Sequence, residues 1–415
     1  MKILHVGYSD TLGGASIAMM RLHSSLRNAG IVSKVLVAQK LSTDQDVIGP
    51  IKKSEKYFNE LKIKIARQKK YIYKHDGKYS HSLNIFSSQI LDKIEKIKPD
   101  IVNLHWINNE LISIKQISQI KIPIVWTFND MWPMCGGEHY SNNDRYKLGY
   151  NKTKKTFSEH GIDLNRYLWC NKKKYWGNNI KLIICISNWL KEKTEESKLF
   201  NTYKTEYVPC TINNNLWSPI DKITARKNLN LPLDKNILLF MSTNGIKDFR
   251  KGFGYIKDYF QNSTQNKENI MLLNVGKNNS VEINNNRIIN INETFNGKSD
   301  KLKFIYSASD ILLTPSILEA FGQVAIEAAS CGTPSIGFEN TGLSDAIKHK
   351  QTGYLAKYLN KNDFDNGINW LLNQLKNNKE YFKDKCLNFV ENNFSSNLVS
   401  KKYINLYKGV LNADR

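Results

Sequence analysis

Along the chain, short runs of apolar residues alternate with longer stretches in which apolar positions recur every three or four residues. Ile3 to Tyr8, Lys34 to Ala38, Ile101 to Trp106, Ile124 to Phe128 and Leu182 to Ser187 are runs of the first kind. They predict buried strands, because a strand covered on both faces has no polar side to show. Helical periodicity fills most of the intervals, which predicts a parallel, doubly wound sheet. The pattern breaks between Val208 and Pro219, where Pro209, Asn213 to Asn215 and Pro219 crowd together, and a domain linker is expected there. A second alternating series follows, at Ile237 to Thr243, Ile270 to Gly276, Arg287 to Ile291, Asp310 to Ser316 and Pro334 to Phe338. The pattern thus predicts an α/β chain with Rossmann-like domains at residues 1–210 and 220–395. From Asn397 to Leu411, apolar residues at Leu398, Val399, Tyr403, Ile404, Leu406, Tyr407, Val410 and Leu411 follow helical spacing. A C-terminal helix over 396–415 must therefore pack against something.

Composition narrows the class. A chain of 415 residues exceeds a typical single core, and 41% hydrophobic with 11% aromatic residues places it among globular proteins. No run of about 18 apolar residues occurs, and Met1 to Val6 reads as a core strand and not a signal peptide, so a cytoplasmic location is expected. The cysteines Cys135, Cys170, Cys185, Cys210, Cys331 and Cys386 form no C-x-x-C pair and read as reduced, buried thiols. Cys135, His139 and Cys170 match no standard zinc spacing, and no metal is expected. The net charge of +22 calls for an anionic partner: nucleic acid, a phosphorylated substrate or an acidic membrane face. Much of the excess lies in Lys52 to Lys74 and Arg145 to Lys174. In the first, Tyr57, Phe58, Leu61, Ile65 and Ile72 recur at roughly helical spacing, which predicts a basic amphipathic helix. It is either a solvated Lys-rich helix or a contact for a membrane surface or an anionic acceptor.

Four segments carry candidate chemistry. In Pro315 to Pro334 a strand ends near Ser316 and a helix is expected from about Gly322 to Gly332, with Glu319 before it and Glu327 within it. A helix N-terminus offers backbone N–H groups and partial positive charge to a diphosphate, and two carboxylates beside it can accept hydrogen bonds from sugar and ribose hydroxyls. Ser242 to Phe253 places Lys247, Arg250 and Lys251 in a strand-to-helix loop, where cations can neutralise a pyrophosphate. Ser9 to Ala15 holds Gly13 and Gly14 between a strand and a helix, which permits close backbone approach to a ligand or makes a tight turn. Trp126 to Tyr140 follows a buried strand and is dense in polar and aromatic side chains, as the floor of a sugar site would be.

The string Pro315-Ser316-Ile317-Leu318-Glu319-Ala320-Phe321-Gly322, with a second glutamate at Glu327, resembles the retaining glycosyltransferases of family 4 and the GT-B fold. The Arg250-Lys251-Gly252 segment, the Gly13-Gly14 pair, Asn340 to Leu343 and Gln351 to Tyr354 are similar to family segments as well. The resemblance implies two Rossmann-like domains facing a central cleft, with the donor mainly on the second, the acceptor mainly on the first and the C-terminal helix returning to the first. It implies a UDP- or GDP-sugar donor, no metal requirement, and a glycan or lipid-linked glycan acceptor of surface polysaccharide synthesis. Glu319 would hold the donor sugar, Glu327 the ribose, the amides around Phe321 and Gly322 the phosphates, and Lys251 with Arg250 or Lys247 the leaving diphosphate. Gly13 and Gly14 would face the donor from the first domain. Trp126 to Tyr140 resembles a segment of polysaccharide-building members, with Asn129 where a histidine usually stands. Asn129 cannot move a proton. Asp130 shapes the same pocket, and His105 and His139 are candidate acceptor contacts.

Three further readings compete. A metal-dependent GT-A transferase would need an Asp-x-Asp at a strand end, and neither Asp44-Gln45-Asp46 nor Asp363-Phe364-Asp365 directly follows a buried strand. A nucleic-acid-binding protein would fit the charge but leaves the paired glutamates unexplained and shows no binding module. A sugar-binding inactive homologue is suggested only by Asn129. The stretches 52–98 and 141–179 carry little of the resemblance and are expected to serve the acceptor, with an anionic membrane surface as a candidate partner and no nucleic acid.

Overall fold

The computed structural model describes residues 1–50, 52–69, 73–74, 79–151, 160–177, 179–214, 216–243, 245–262, 269–277, 287–293 and 300–413. Asn244, Ile51, Ile72, parts of both basic stretches and the Asn284 to Asn286 turn lie outside the described residues. The chain divides into two compact units, Met1–Pro209 with Val399–Arg415, and Cys210–Leu398.

Unit 1 is built on strands β1 (Lys2–Ser9), β2 (Val32–Gln39), β3 (Val47–Ile48), β4 (Tyr73–Lys74), β5 (Ile101–Leu104), β6 (Ile124–Phe128), β7 (His160–Gly161), β8 (Ile180–Cys185) and β9 (Thr205–Tyr207). Seven of them form a parallel sheet in the order β3-β2-β1-β5-β6-β8-β9. Every residue of β5 and β6 is buried, which is why these strands read as unbroken apolar runs. β4 and β7 pair antiparallel in a separate ladder, a feature the alternating pattern did not announce.

Helix α1 (Gly14–Asn28) covers one face of this sheet. Leu22 and Leu26 pack with Ile3, Ile101, Val125, Leu182 and Ile184, and Val399, Tyr403, Tyr407 and Val410 of the Ser396–Ala413 helix join the same core. The polar residues in that core are satisfied there. Asn103 Nδ2 donates to Tyr407 Oη at 2.6 Å, and Thr127 Oγ1 donates to Asn103 Oδ1 at 3.1 Å.

Unit 2 holds β10 (Asn236–Met241), β11 (Ile270–Val275), β12 (Ile288–Ile291), β13 (Ile311–Thr314), β14 (Ser335–Phe338) and β15 (Gly353–Ala356), parallel in the order β12-β11-β10-β13-β14-β15. Leu238, Phe240, Leu272, Ile311, Leu313, Ile336 and Phe338 form its core with Ile256, Phe260 and Ile368 from covering helices. The fold is therefore two Rossmann-like parallel α/β domains, as the sequence pattern predicts. In each sheet the chain winds outward in both directions from a central pair, β1 with β5 and β10 with β13. The crevice outside the carboxyl ends of such a pair is where a doubly wound sheet binds ligands.

Five cysteines are buried, but Cys170 is exposed, because it occupies an outward position of the Leu164–Tyr175 helix. This corrects the expectation of six buried thiols. Among the described residues no group of acidic, histidine and cysteine side chains could hold a metal ion, and no helix is long and apolar enough to cross a membrane.

Candidate functional site

In unit 2 the site residues sit on two loops that leave the central strands. After β10 the chain makes two short 3-10 turns, Gly245–Lys247 and Phe249–Lys251, and Asp248 caps the second by accepting from Arg250 N at 3.1 Å. The loop after β13 runs from Pro315 to the Gln323–Ser330 helix. The two loops are clasped: Ile317 N donates to Arg250 O at 2.8 Å, and Arg250 Nη1 donates to Leu318 O at 3.0 Å. Gly252 lies so close to Pro315 that a Cβ there would stand 1.9 Å from the Pro315 carbonyl oxygen.

This clasp sets Lys251 against Glu319. Lys251 Nζ lies 2.6 Å from Glu319 Oε2, Ser316 Oγ donates to the same oxygen at 3.3 Å, and Arg250 Nη1 stands 3.7 Å away. Burial alone would raise the Glu319 carboxyl, but Lys251 and Arg250 hold it below the usual carboxylate range. Glu319 is thus ionised at neutral pH and can only accept hydrogen bonds. Arg250 also meets Asp248 at 3.2 Å, so its guanidinium holds the loops together. Lys247 is exposed and makes no ion pair among the described residues.

Gly322 caps the Gln323–Ser330 helix with φ +97, and no side chain caps that end. The Phe321 ring is buried and meets Phe394 edge-on at 5.7 Å, which fixes the backbone whose amides precede the helix. Gly342 props the loop from behind: its N–H donates to Glu319 O at 2.8 Å, and a Cβ there would stand 2.3 Å from the Ala320 carbonyl. Glu327 is buried and accepts from Tyr306 Oη at 2.8 Å, a partner that sequence reasoning did not name.

In unit 1 three loops leave the carboxyl ends of β1, β5 and β6. Gly13 takes φ +82 immediately before α1 with open space where a Cβ would stand, and both Gly13 and Gly14 are exposed. Asp10 ties this loop to the one after β2, accepting from Leu41 N at 2.9 Å and Ser42 N at 2.8 Å.

After β6, Asn129 is partly buried and its Nδ2 donates to Thr127 O at 3.0 Å. Asp130 and His139 are joined, Oδ2 to Nδ1, at 2.6 Å, and His139 Nε2 meets Ser82 Oγ at 2.9 Å. Trp106 Nε1 adds a hydrogen bond to Asp130 Oδ2 at 2.8 Å. His105 lies apart from this chain. Its Nε2 meets His5 Nδ1 at 2.9 Å, it is buried, and desolvation brings its pKa down to about 3. His105 is therefore a neutral core ring in this structure.

Beneath the loop lies Lys172, fully buried, with its ammonium donating to the carbonyls of Trp132, Cys135 and Gly136 and standing 3.7 Å from the Trp132 ring centre. Burial pushes its pKa down to about 7.

Comparison with known proteins bears on the unit 2 site. Residues 221–386 match the family model Glycosyl transferases group 1. The matched domain contains Arg250, Lys251, Glu319 and Glu327. A glycosyltransferase of Methanocaldococcus jannaschii is 31% identical over 109 residues, covering 26% of this chain and 28% of its own length. The chain thus spans under a third of that relative. In fold, sucrose-phosphate synthase from Thermosynechococcus elongatus superposes with a TM-score of 0.71 at 18% identity, covering 100% of both chains. HepE from Anabaena in complex with UDP-glucose superposes with a TM-score of 0.66 at 14% identity, covering 99% of this chain and 100% of that one. These likenesses show the GT-B fold.

Proposed function

We propose that the protein is a retaining glycosyltransferase that moves a sugar from a nucleotide-sugar donor to a glycan or lipid-linked glycan acceptor. The observation that carries this reading is the Lys251–Glu319 pair, set by clasped loops at the carboxyl ends of β10 and β13 beside a helix N-terminus. Such a terminus with a lysine suits a diphosphate, and an ionised glutamate suits the hydroxyls of the attached sugar. The match to Glycosyl transferases group 1 and the UDP-glucose bound by a neighbour of the same fold support a nucleotide-sugar donor.

In the proposed reaction the bond between the anomeric carbon and the diphosphate oxygen breaks, and the acceptor oxygen bonds to that carbon on the same face. The acceptor's proton passes to the leaving phosphate oxygen, so Asn129 need not act as a base. Lys251, with Lys247, offsets the charge that develops on the diphosphate, which is the work a metal would otherwise do. Unit 1 takes the acceptor near Asn129 and Asp130. Resemblance of Trp126 to Tyr140 to polysaccharide-building enzymes supports a surface polysaccharide product, made in the cytoplasm at the inner membrane face.

Thermal stability against UDP-, GDP- and ADP-sugars without added metal tests the donor reading, because a ligand of the folded state must stabilise it. One nucleotide family is expected to shift the midpoint, and single-stranded DNA is not. With that donor, Glu319→Gln or Lys251→Met is expected to lower kcat/KM by about 100-fold or more, and Glu327→Gln by less. Near-normal transfer by both of the first two variants, or a shift with DNA and none with nucleotides, overturns the reading.

A further inference from the structure

Helix α2 (Lys53–Lys69) presents an uncovered apolar stripe to solvent. Tyr57, Phe58, Leu61 and Ile65 fall within about a third of the helix circumference at its spacing of about 100° per residue. They are 64%, 57%, 37% and 37% exposed. The helix is fixed by its other side: Ala66 is buried, Lys93 pairs with Glu55, and Lys62 Nζ donates to Ser87 O at 2.6 Å. The stripe is therefore presented on an anchored element.

Exposed cations flank it. Lys53, Lys56, Lys64 and Arg67 are exposed and make no ion pair among the described residues. The helix sequence holds six basic residues against two acidic ones, in a chain of net charge +22. Beyond its C-terminal end, β4 pairs with β7, joining this basic stretch to the second one. There Ile162 and Tyr167 are 66% and 57% exposed. Two stretches far apart in sequence thus meet, and both display uncovered apolar side chains among lysines.

We propose that α2, with the β4–β7 ladder at its end, is a docking surface for an anionic lipid bilayer. A bilayer surface supplies both things this helix lacks a partner for: negative headgroups for the flanking cations and an apolar layer beneath them for Leu61, Ile65 and the aromatic rings. Nucleic acid would answer the charge and leave the aliphatic residues in water. This inference rests on the surface alone and holds whether or not the transferase reading does.

The test is co-sedimentation of the whole protein with vesicles of phosphatidylglycerol and phosphatidylcholine in equal parts, beside phosphatidylcholine alone. Binding is expected only to the anionic vesicles, and high salt should weaken it. The triple variant Tyr57→Ser, Phe58→Ser, Leu61→Ser should bind at least about tenfold more weakly. Lys56→Glu with Lys64→Glu should remove the preference for anionic lipid. Lys56 and Lys64 are exposed, so the charge variant should keep the wild-type thermal midpoint. Phe58 also lines a cavity with Leu36, Val37 and Leu111, so the triple variant is read beside a circular dichroism spectrum that stays native, and any nucleotide-dependent shift should stay at wild-type values in both. No vesicle binding, equal binding to both vesicle types, or binding untouched by the triple variant overturns the proposal, as does retention of single-stranded nucleic acid by this helix in place of vesicles.

Discussion

Gly252 adopts φ +68 with its backbone against Pro315, a position that no side chain can share. Gly252→Ala must part the two loops and with them the Lys251–Glu319 pair. Misplacement of reacting groups by an ångström costs about 100-fold, and a fall of that order in kcat/KM is expected, read in the transfer assay together with a circular dichroism spectrum that stays native. A second residue-scale consequence concerns pH. In the unfolded chain an imidazole takes a proton near pH 6.5, whereas buried His105 does so only near pH 3, and buried His5 is likewise held well below 6.5. The fold favours the neutral rings, so their contribution is complete above pH 6.5 and is lost as pH falls from there toward 3. At pH 5, His105 alone should account for about 2 kcal/mol. Urea unfolding at pH 7 and pH 5 checks this: His105→Gln should flatten the acid loss, and an unchanged loss would contradict the assignment.

At the scale of elements, the loop from Asp130 to His139 is braced from beneath by one buried ammonium. Lys172→Met would leave the carbonyls of Trp132, Cys135 and Gly136 without their donor, and a destabilisation of about 3 kcal/mol is expected by urea titration. The long central strands were legible in sequence because burial on both faces leaves an unbroken apolar run, as in Ile124 to Phe128. The edge strands β3 and β9 were not, since two or three residues are too few to carry a period. Glu319, Lys251 and Gly13 were legible for a related reason: each lies in a contiguous string at a strand end. Ser82 and Lys172 were not, because their partners are remote in the chain. Ser82 meets a histidine 57 positions away. Lys172, first of three successive lysines, looks like part of a solvated run until the fold turns it inward.

At the scale of the whole molecule, the chain leaves unit 1 at Pro209 and returns to it at Val399. The returning helix completes the core with Tyr407, whose hydroxyl satisfies buried Asn103. Tyr407→Phe should cost about 2 kcal/mol, seen as a lower urea midpoint, by stranding that amide. The same return has a consequence for synthesis. A ribosome releases all of unit 2 before it releases the helix that seals unit 1, so unit 2 can fold on a nascent chain while Ile3, Leu22 and Ile101 still lack their cover. Premature termination near residue 396 would then yield a native second unit tethered to an unsealed first one, a product for chaperones and proteases to catch.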